Sequence, residues 1–514
     1  MIDRFRHVWF TGWLIVVVLG AGAVPASAGR LHEAAAAGDL ERAKALVKAG
    51  EGLTQLDGQG RTPLMVAVET GKPEMVEAFL TLGVKPNDRG KGGETPLNVA
   101  VDARNKAMVE LLLAKGADAT LAAEDGATPL HIAAMQDDAD IADLLLAQKI
   151  DVNAATPDGW TPLHFAAWHD RGKIAALLLK ARASARATTI LGDTPLHLAA
   201  MQKSQSVAEA LLAENFDVNG RNALGWTPLH LAVLNQDTPM IEVLLAKRGD
   251  ANARGLRNIT PMQLALMKRD NKAATALIKA GADVNVRGED GRTPLHYAAA
   301  AGDAAMVQAL VDRRVFVQVR DKQGRMPLHY AAASGSKDTV ESLLSKHGSA
   351  EVRDSKGRTP LFDAAESGNK AIIELLLERR ALVNTHDVEG STPLFAAIEG
   401  GYAEAAAVLV DKGAEVARLN RAGAAPLHVA AARGRENVIE MLVGKGAAVD
   451  QRNGEGRTAL HLAVMGGQKA AVSLLIKLGA DTAARDNKGL TPLELALVIN
   501  NKDIEALLRS LSRK

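Results

Sequence analysis

The chain of 514 residues contains no cysteine. That excludes disulfides, thiol catalysis, cysteine zinc sites and cysteine lipidation, and it fits an oxidising compartment entered without disulfide staples. Aromatic residues make up 3% of the chain, so any core must be built from Ala, Val, Ile and Leu. Charge of one sign is also lacking: 61 basic residues against 60 acidic ones leave a net charge of +1. A dedicated nucleic-acid binder carries a clear basic excess, and this chain has none. Long apolar runs are absent except near the N-terminus, between Val8 and Val24. No phosphate-binding glycine loop, His-Glu-x-x-His or Gly-x-Ser-x-Gly is present.

What is there is a period. Thr-Pro-Leu-His stands at Thr128, Thr161, Thr194, Thr227 and Thr293. Weaker copies stand at Thr62, Thr95, Thr260, Met326, Thr359, Thr392, Ala425, Thr458 and Thr491. Every step is 33 residues, with no insertion or deletion. Leu31-His32-Glu33-Ala34-Ala35 repeats the following segment one step earlier, which gives fifteen units. A strict period of this size is the signature of a solenoid, and it overrides the several-domain expectation that length alone would set.

Each unit can be read physically. Gly126 permits a left-handed turn. Thr128 is suited to cap a helix, and Pro129 to occupy its first position, where the missing N–H costs nothing. Leu130, Ile132 and Ala133 begin a short helix. Ile141, Leu144, Leu145 and Leu146 give a second one a single apolar face. The turn glycine stands two residues before each of the fourteen anchors except at Asn258, the residue type next most tolerant of that backbone.

Gly-x-Thr-Pro-Leu-His-x-Ala-Ala, the Leu-Leu-Leu run and Gly281-Ala-Asp-Val-Asn285 together resemble the ankyrin repeat family, over residues 30–514. The resemblance implies an all-α solenoid of helix pairs with a protruding hairpin per unit, in a curved superhelix. At a helix spacing of about 8–10 Å, fifteen units would extend roughly 130–150 Å. It also implies a protein-binding role and that the histidine of each motif is buried and bonded to turn backbone. The missing catalytic motifs and the standard length of every loop point to no enzyme and no cofactor. A shared metal is excluded independently. Zinc ligands lie about 2 Å from the ion, whereas equivalent atoms of adjacent units are about 10 Å apart.

The copies differ. The link between the two helices is Gly71, then Arg104, Asp137, Asp170, Lys203, Gln236 and Arg269, then glycine again at 302, 335, 368, 401, 434 and 467. The end of the second helix also loses glycine, at Lys149, Arg182 and Asn215, and later at Arg314 and Arg380. The unit at Thr260 is the most divergent, and a soft boundary is read near 255–290. The expected organisation is a signal peptide at 1–28, a capping repeat at 29–56, a sub-array with an apolar face at 57–287 and one with a charged face at 288–514. Arg509, Ser510, Ser512, Arg513 and Lys514 give the last helix a polar outer edge.

The resemblance places contact residues on the hairpin and the first helix. Those offsets select Met135; Pro157, Trp160, Trp168 and His169; Ile190, Leu191 and Met201; Leu224, Trp226 and Leu234; and Leu256, Ile259 and Met267. Beyond residue 28 the chain has three tryptophans, and all three are in this set. Tryptophan and methionine are interface residues, so the expectation is a contiguous apolar face that binds a partner protein. The competing reading is that tryptophan before Thr-Pro packs on a neighbouring hairpin. The same offsets further on carry Arg292, Arg325 and Arg358, an evenly spaced basic row, among acids such as Glu289, Asp290 and Glu366 that make a solvated mixed face the competing reading.

Arg4, Arg6 and His7, the apolar stretch after them and Ala26-Ser27-Ala28 form a signal-peptide pattern with cleavage between Ala28 and Gly29. The alternative is an uncleaved anchor at the short end of the ~17–25 residues a span needs. The expected location is the periplasm or outside the cell, in a monomeric protein with a protein partner, no nucleic acid and, once cleaved, no stable membrane insertion. Other readings are an exported effector, an elastic spacer, or an enzyme with an unrecognised site.

Overall fold

The computed structural model describes residues 29–213, 216–345 and 348–511. The expected signal segment, including Ala28, and also Asn215, Ser512, Arg513 and Lys514 lie outside the described residues. Among the described residues there are thirty α-helices and no strand, in an order that makes fifteen pairs. None of these helices is long and apolar enough to cross a membrane.

The helices are seven to ten residues long, too short to be stable alone in water. Their ends are set locally. Thr62 Oγ1 accepts from the Met65 N–H and Thr491 Oγ1 from the Glu494 N–H, with proline at the first position of each helix. Their stability comes from stacking. Pro129–Gln136 packs on Pro162–Trp168, and Pro294–Ala301 on Pro327–Ser334, first helix against first helix. Ala133, Ala134, Ala166 and Ala167 are fully buried in these contacts, where small side chains let the backbones approach.

The chain divides into two compact units between Ala223 and Leu224. The first holds helices Arg30–Ala37 through Gln205–Ala213. The second holds Pro228–Leu234 through Lys502–Leu511. This division falls N-terminal to the soft boundary read near 255–290.

Two stitches recur within each unit. One is at the hairpin tips, where the Glu124 N–H donates to the Gly92 carbonyl (2.9 Å) and the Lys322 N–H to the Asp290 carbonyl (3.0 Å). The other is the motif histidine. His131 Nδ1 accepts from the Thr128 N–H (3.1 Å), so the proton sits on Nε2, which donates to the Trp160 carbonyl (3.1 Å). His164, His230, His296, His329, His428 and His461 make the same rung to the carbonyl 29 residues on, and Gln263 replaces it with its own amide. The buried, turn-bonded histidine expected from the resemblance is therefore what the fold contains.

The links between helices are left-handed whatever residue fills them. Arg104, Asp137, Asp170, Lys203, Gln236 and Arg269 have φ between 53° and 63°, and Gly302 has 69°. At the divergent hairpin Arg257 and Asn258 both have positive φ in a single 3₁₀ turn.

Candidate functional site

In the first compact unit the hairpin before Thr161 brings Trp160 over its own first helix. Its ring meets Phe165 (centroids 5.4 Å) and Trp168 (5.6 Å, interplanar 70°), and Phe165 meets His131 edge-on at 5.4 Å. Such edge-to-face pairs contribute about 0.5–1.5 kcal/mol beyond the area they bury. Trp160 and Trp168 remain half-buried, so part of each ring faces solvent. His169 ends that helix half-buried, and burial together with the Arg171 charge holds its pKa below the ordinary value. Met135 and Met201 end their helices half-buried, and the Met135 carbonyl accepts from Arg171 Nε (3.0 Å). Ile190 and Leu191 form the next hairpin tip, 68% and 41% exposed. That exposure matters because neither side chain is spent on the core.

In the second compact unit Trp226 stacks on His230 (6.2 Å, interplanar 22°). It lies over Gly255, where a Cβ would stand 2.7 Å from Trp226 Cδ1. A glycine is required here by close approach, and this tryptophan does pack on the following hairpin. Leu224, Leu234 and Ile259 are half-buried, and the Ile259 carbonyl receives the His230 rung. Met267, at the end of its helix, is 41% exposed. The predicted contact residues thus fall as Met135 through Met201 on one compact unit and Leu224 through Met267 on the other.

The basic row has neither expected form. Arg292 and Arg325 both lie over the Tyr330 ring, at 4.8 and 4.4 Å from its centroid. Arg325 Nη2 is 2.5 Å from Asp363 Oδ1, Arg358 pairs with Glu366, and Tyr330 donates to Asp321 (2.7 Å). Arg325 and Arg358 keep about a fifth of their side-chain surface exposed, so these charges are spent internally rather than presented. Burial pushes the Asp363 carboxyl up, to about 7, against the pull of Arg325 and Arg358. Sequence reasoning missed the pairing because Arg325 and Asp363 are 38 residues apart.

Burial also holds the rung histidines low, to about 4 for His131, His164 and His329. They are neutral at physiological pH and act as structural donors. Among the described residues no group of three or more His, Asp or Glu side chains is placed to hold a metal.

The family model for ankyrin repeats, in blocks of three copies, matches nine overlapping segments from residues 31–123 to 427–512, almost the whole described chain. The chain belongs to the ankyrin-repeat family. Over 59 residues, 12% of its length, it is 41% identical to protein phosphatase 1 regulatory subunit 27 of Homo sapiens and of Mus musculus. The match spans 38% of each of those relatives. Among solved structures it resembles the human ASB11 ankyrin repeat domain, at 27% identity, a TM-score of 0.40, and coverage of 43% of this chain and 98% of that one. Ankyrin arrays are protein–protein interaction scaffolds and generally non-catalytic modules, and the repeats give this chain that coarse role.

Proposed function

We propose that the chain is an exported scaffold that binds a partner protein through first-helix and hairpin residues of its repeats, Met135 to Met201 in the first compact unit and Leu224 to Met267 in the second. The observation that carries this reading is the Trp160–Trp168 pair, two large rings that are fixed by packing and still partly exposed. A ring held in place by neighbours loses little conformational entropy on binding, which is why aromatic anchors dominate interface energetics. Ile190 and Leu191 add exposed apolar surface in the same compact unit. The mechanism is recognition: burial of these rings in a partner supplies affinity, and no bond is made or broken.

Export rests on the signal-peptide pattern, Arg4 and Arg6 followed by an apolar stretch and Ala26-Ser27-Ala28. The test is affinity capture from the organism's own envelope extract, with residues 29–514 as bait beside a folded Trp160→Ala, Trp168→Ala, Trp226→Ala variant. A protein retained by the native chain and lost by the variant supports the reading. Equal retention removes the tryptophans from it, and no retained protein favours the elastic-spacer reading.

A further inference from the structure

The unit anchored at Thr95 has asparagine where the next unit has His131 and the preceding one Met65, and the consequence is local. Asn98 Oδ1 accepts from the Thr95 N–H (3.1 Å) and Oγ1 (2.6 Å), as a histidine Nδ1 would. The shorter side chain makes no rung: Asn98 is 2% exposed and its Nδ2 has no hydrogen-bond partner among the described residues. An unpaired buried donor of this kind costs about 1–3 kcal/mol, so the fold carries a penalty that an incoming acceptor would remove.

Asn98 lines a groove of about 730 Å³ in the first compact unit, formed by the hairpins and first helices of the units at Thr62, Thr95 and Thr128. Met65, Val99, Ile132 and Met135 give it an apolar floor. Its walls carry Glu69, Glu94, Asp102, Glu124 and Asp125 against one cation, Arg61. Arg61 is already held by Asp57 (2.8 Å) and by Glu69. Asp102 accepts from Gln136 (2.9 Å), and burial raises its pKa. Glu94 and Glu124 are exposed and make no ion pair among the described residues.

We infer that this groove binds an extended segment of a partner protein carrying lysine or arginine between apolar residues. The segment's cationic side chain meets Glu94 and Glu124, its apolar side chains lie on the methionine and aliphatic floor, and a backbone carbonyl accepts from Asn98 Nδ2. Charge complementarity selects the cation, and the lone buried donor selects a carbonyl, which a peptide supplies and a simple cation does not. The inference rests on the scaffold reading but uses a surface apart from Trp160 and Trp168.

The experiment measures fluorescence anisotropy of two labelled hexapeptides, (Leu-Lys)₃ and (Leu-Glu)₃, with the full chain, at low and high salt. The lysine peptide should bind, weaken with salt and lose roughly tenfold in affinity to a Glu94→Gln, Glu124→Gln variant, about 1.4 kcal/mol. Asn98→His, which restores the rung, should weaken the peptide while leaving the thermal midpoint unchanged or higher. Trp160→Ala, Trp168→Ala should bind the lysine peptide normally, which separates this groove from the tryptophan face. Equal binding of both peptides, or of the lysine peptide by native chain and charge variant, overturns the inference. Spermidine competing as strongly as the peptide would also overturn it, in favour of a small polyamine.

Discussion

The position one residue before the anchor carries tryptophan in one stretch, at 160 and 226, and arginine in another, at 292, 325 and 358. The fold gives both the same neighbour. Trp160 lies on Phe165, five residues ahead, and Arg325 lies on Tyr330, also five ahead. The outcomes differ because of what surrounds the pair. Around Arg325 the charges of Asp321, Asp363 and Glu366 close the network on itself. Around Trp160 the second ring is another half-exposed tryptophan. The stretches differ in backbone too. The tryptophan stretch runs through links whose left-handed residues are Asp137, Asp170, Lys203 and Gln236, while glycine fills the links from 302 to 467. A side chain at such a position costs about 1–2 kcal/mol. One stretch spends its side chains on itself and relaxes its backbone; the other tolerates strain and keeps apolar surface unspent, as binding regions commonly do.

The largest way to break this comparison by substitution is Arg325→Ala. It removes the charge-assisted bond to Asp363 and the cation over the Tyr330 ring, Asp363 takes up a proton, and the loss of stability should be about 2–3 kcal/mol in a melting experiment. Trp160→Ala removes edge-to-face contacts from a half-exposed ring and should lose roughly 1–2 kcal/mol. A variant ranking in the opposite order would show that the arginine network is not the structural one.

Acid sharpens the comparison next. His131 and His164 have folded pKa values depressed below their unfolded value of about 6.5, so the unfolded chain binds more protons as pH falls. Their stabilisation is present above 6.5 and is lost on the way down to about 4. At about 1.4 kcal/mol per pH unit and group, lowering the pH from 7 to 5 should remove roughly 4 kcal/mol around residues 130–165. His329 behaves alike, but Asp363, raised to about 7, works the other way and gains stability as pH drops below 7. Protection from hydrogen exchange should therefore fall more steeply with acid near His131 and His164 than near Tyr330 and Asp363.

The links give effects of similar or smaller size. Gly368→Ala forces a Cβ into a position at φ 71° that overlaps the Tyr402 ring, and should destabilise by about 1–3 kcal/mol. Lys203→Gly relieves φ 61° at some entropic cost in the unfolded chain, and should gain at most about 1 kcal/mol. At neutral pH, exchange should open the 104–269 block before the 302–467 block; equal protection would show that the link residues do not set the difference.

Most of the repeat was legible because its causes are local. Thr128 with Pro129 starts a helix, and the residue at 104 or 302 must be left-handed because two helices must turn there. What was not legible depends on the stacking between units. The carbonyl that receives each histidine lies 29 residues on, the carboxylate that holds Arg325 lies 38 residues on, and Asn98 matters only because its amide makes no such rung. The division between Ala223 and Leu224 leaves no mark in composition.

The most direct test measures melting and partner retention together for two variants, Trp160→Ala, Trp168→Ala and Arg325→Ala, each against the native chain. The tryptophan variant should melt within a few degrees of native and lose the captured protein, while folded Arg325→Ala should melt much lower and retain it. A tryptophan variant that keeps the partner while Arg325→Ala loses it would contradict the account and move the binding face to the arginine stretch.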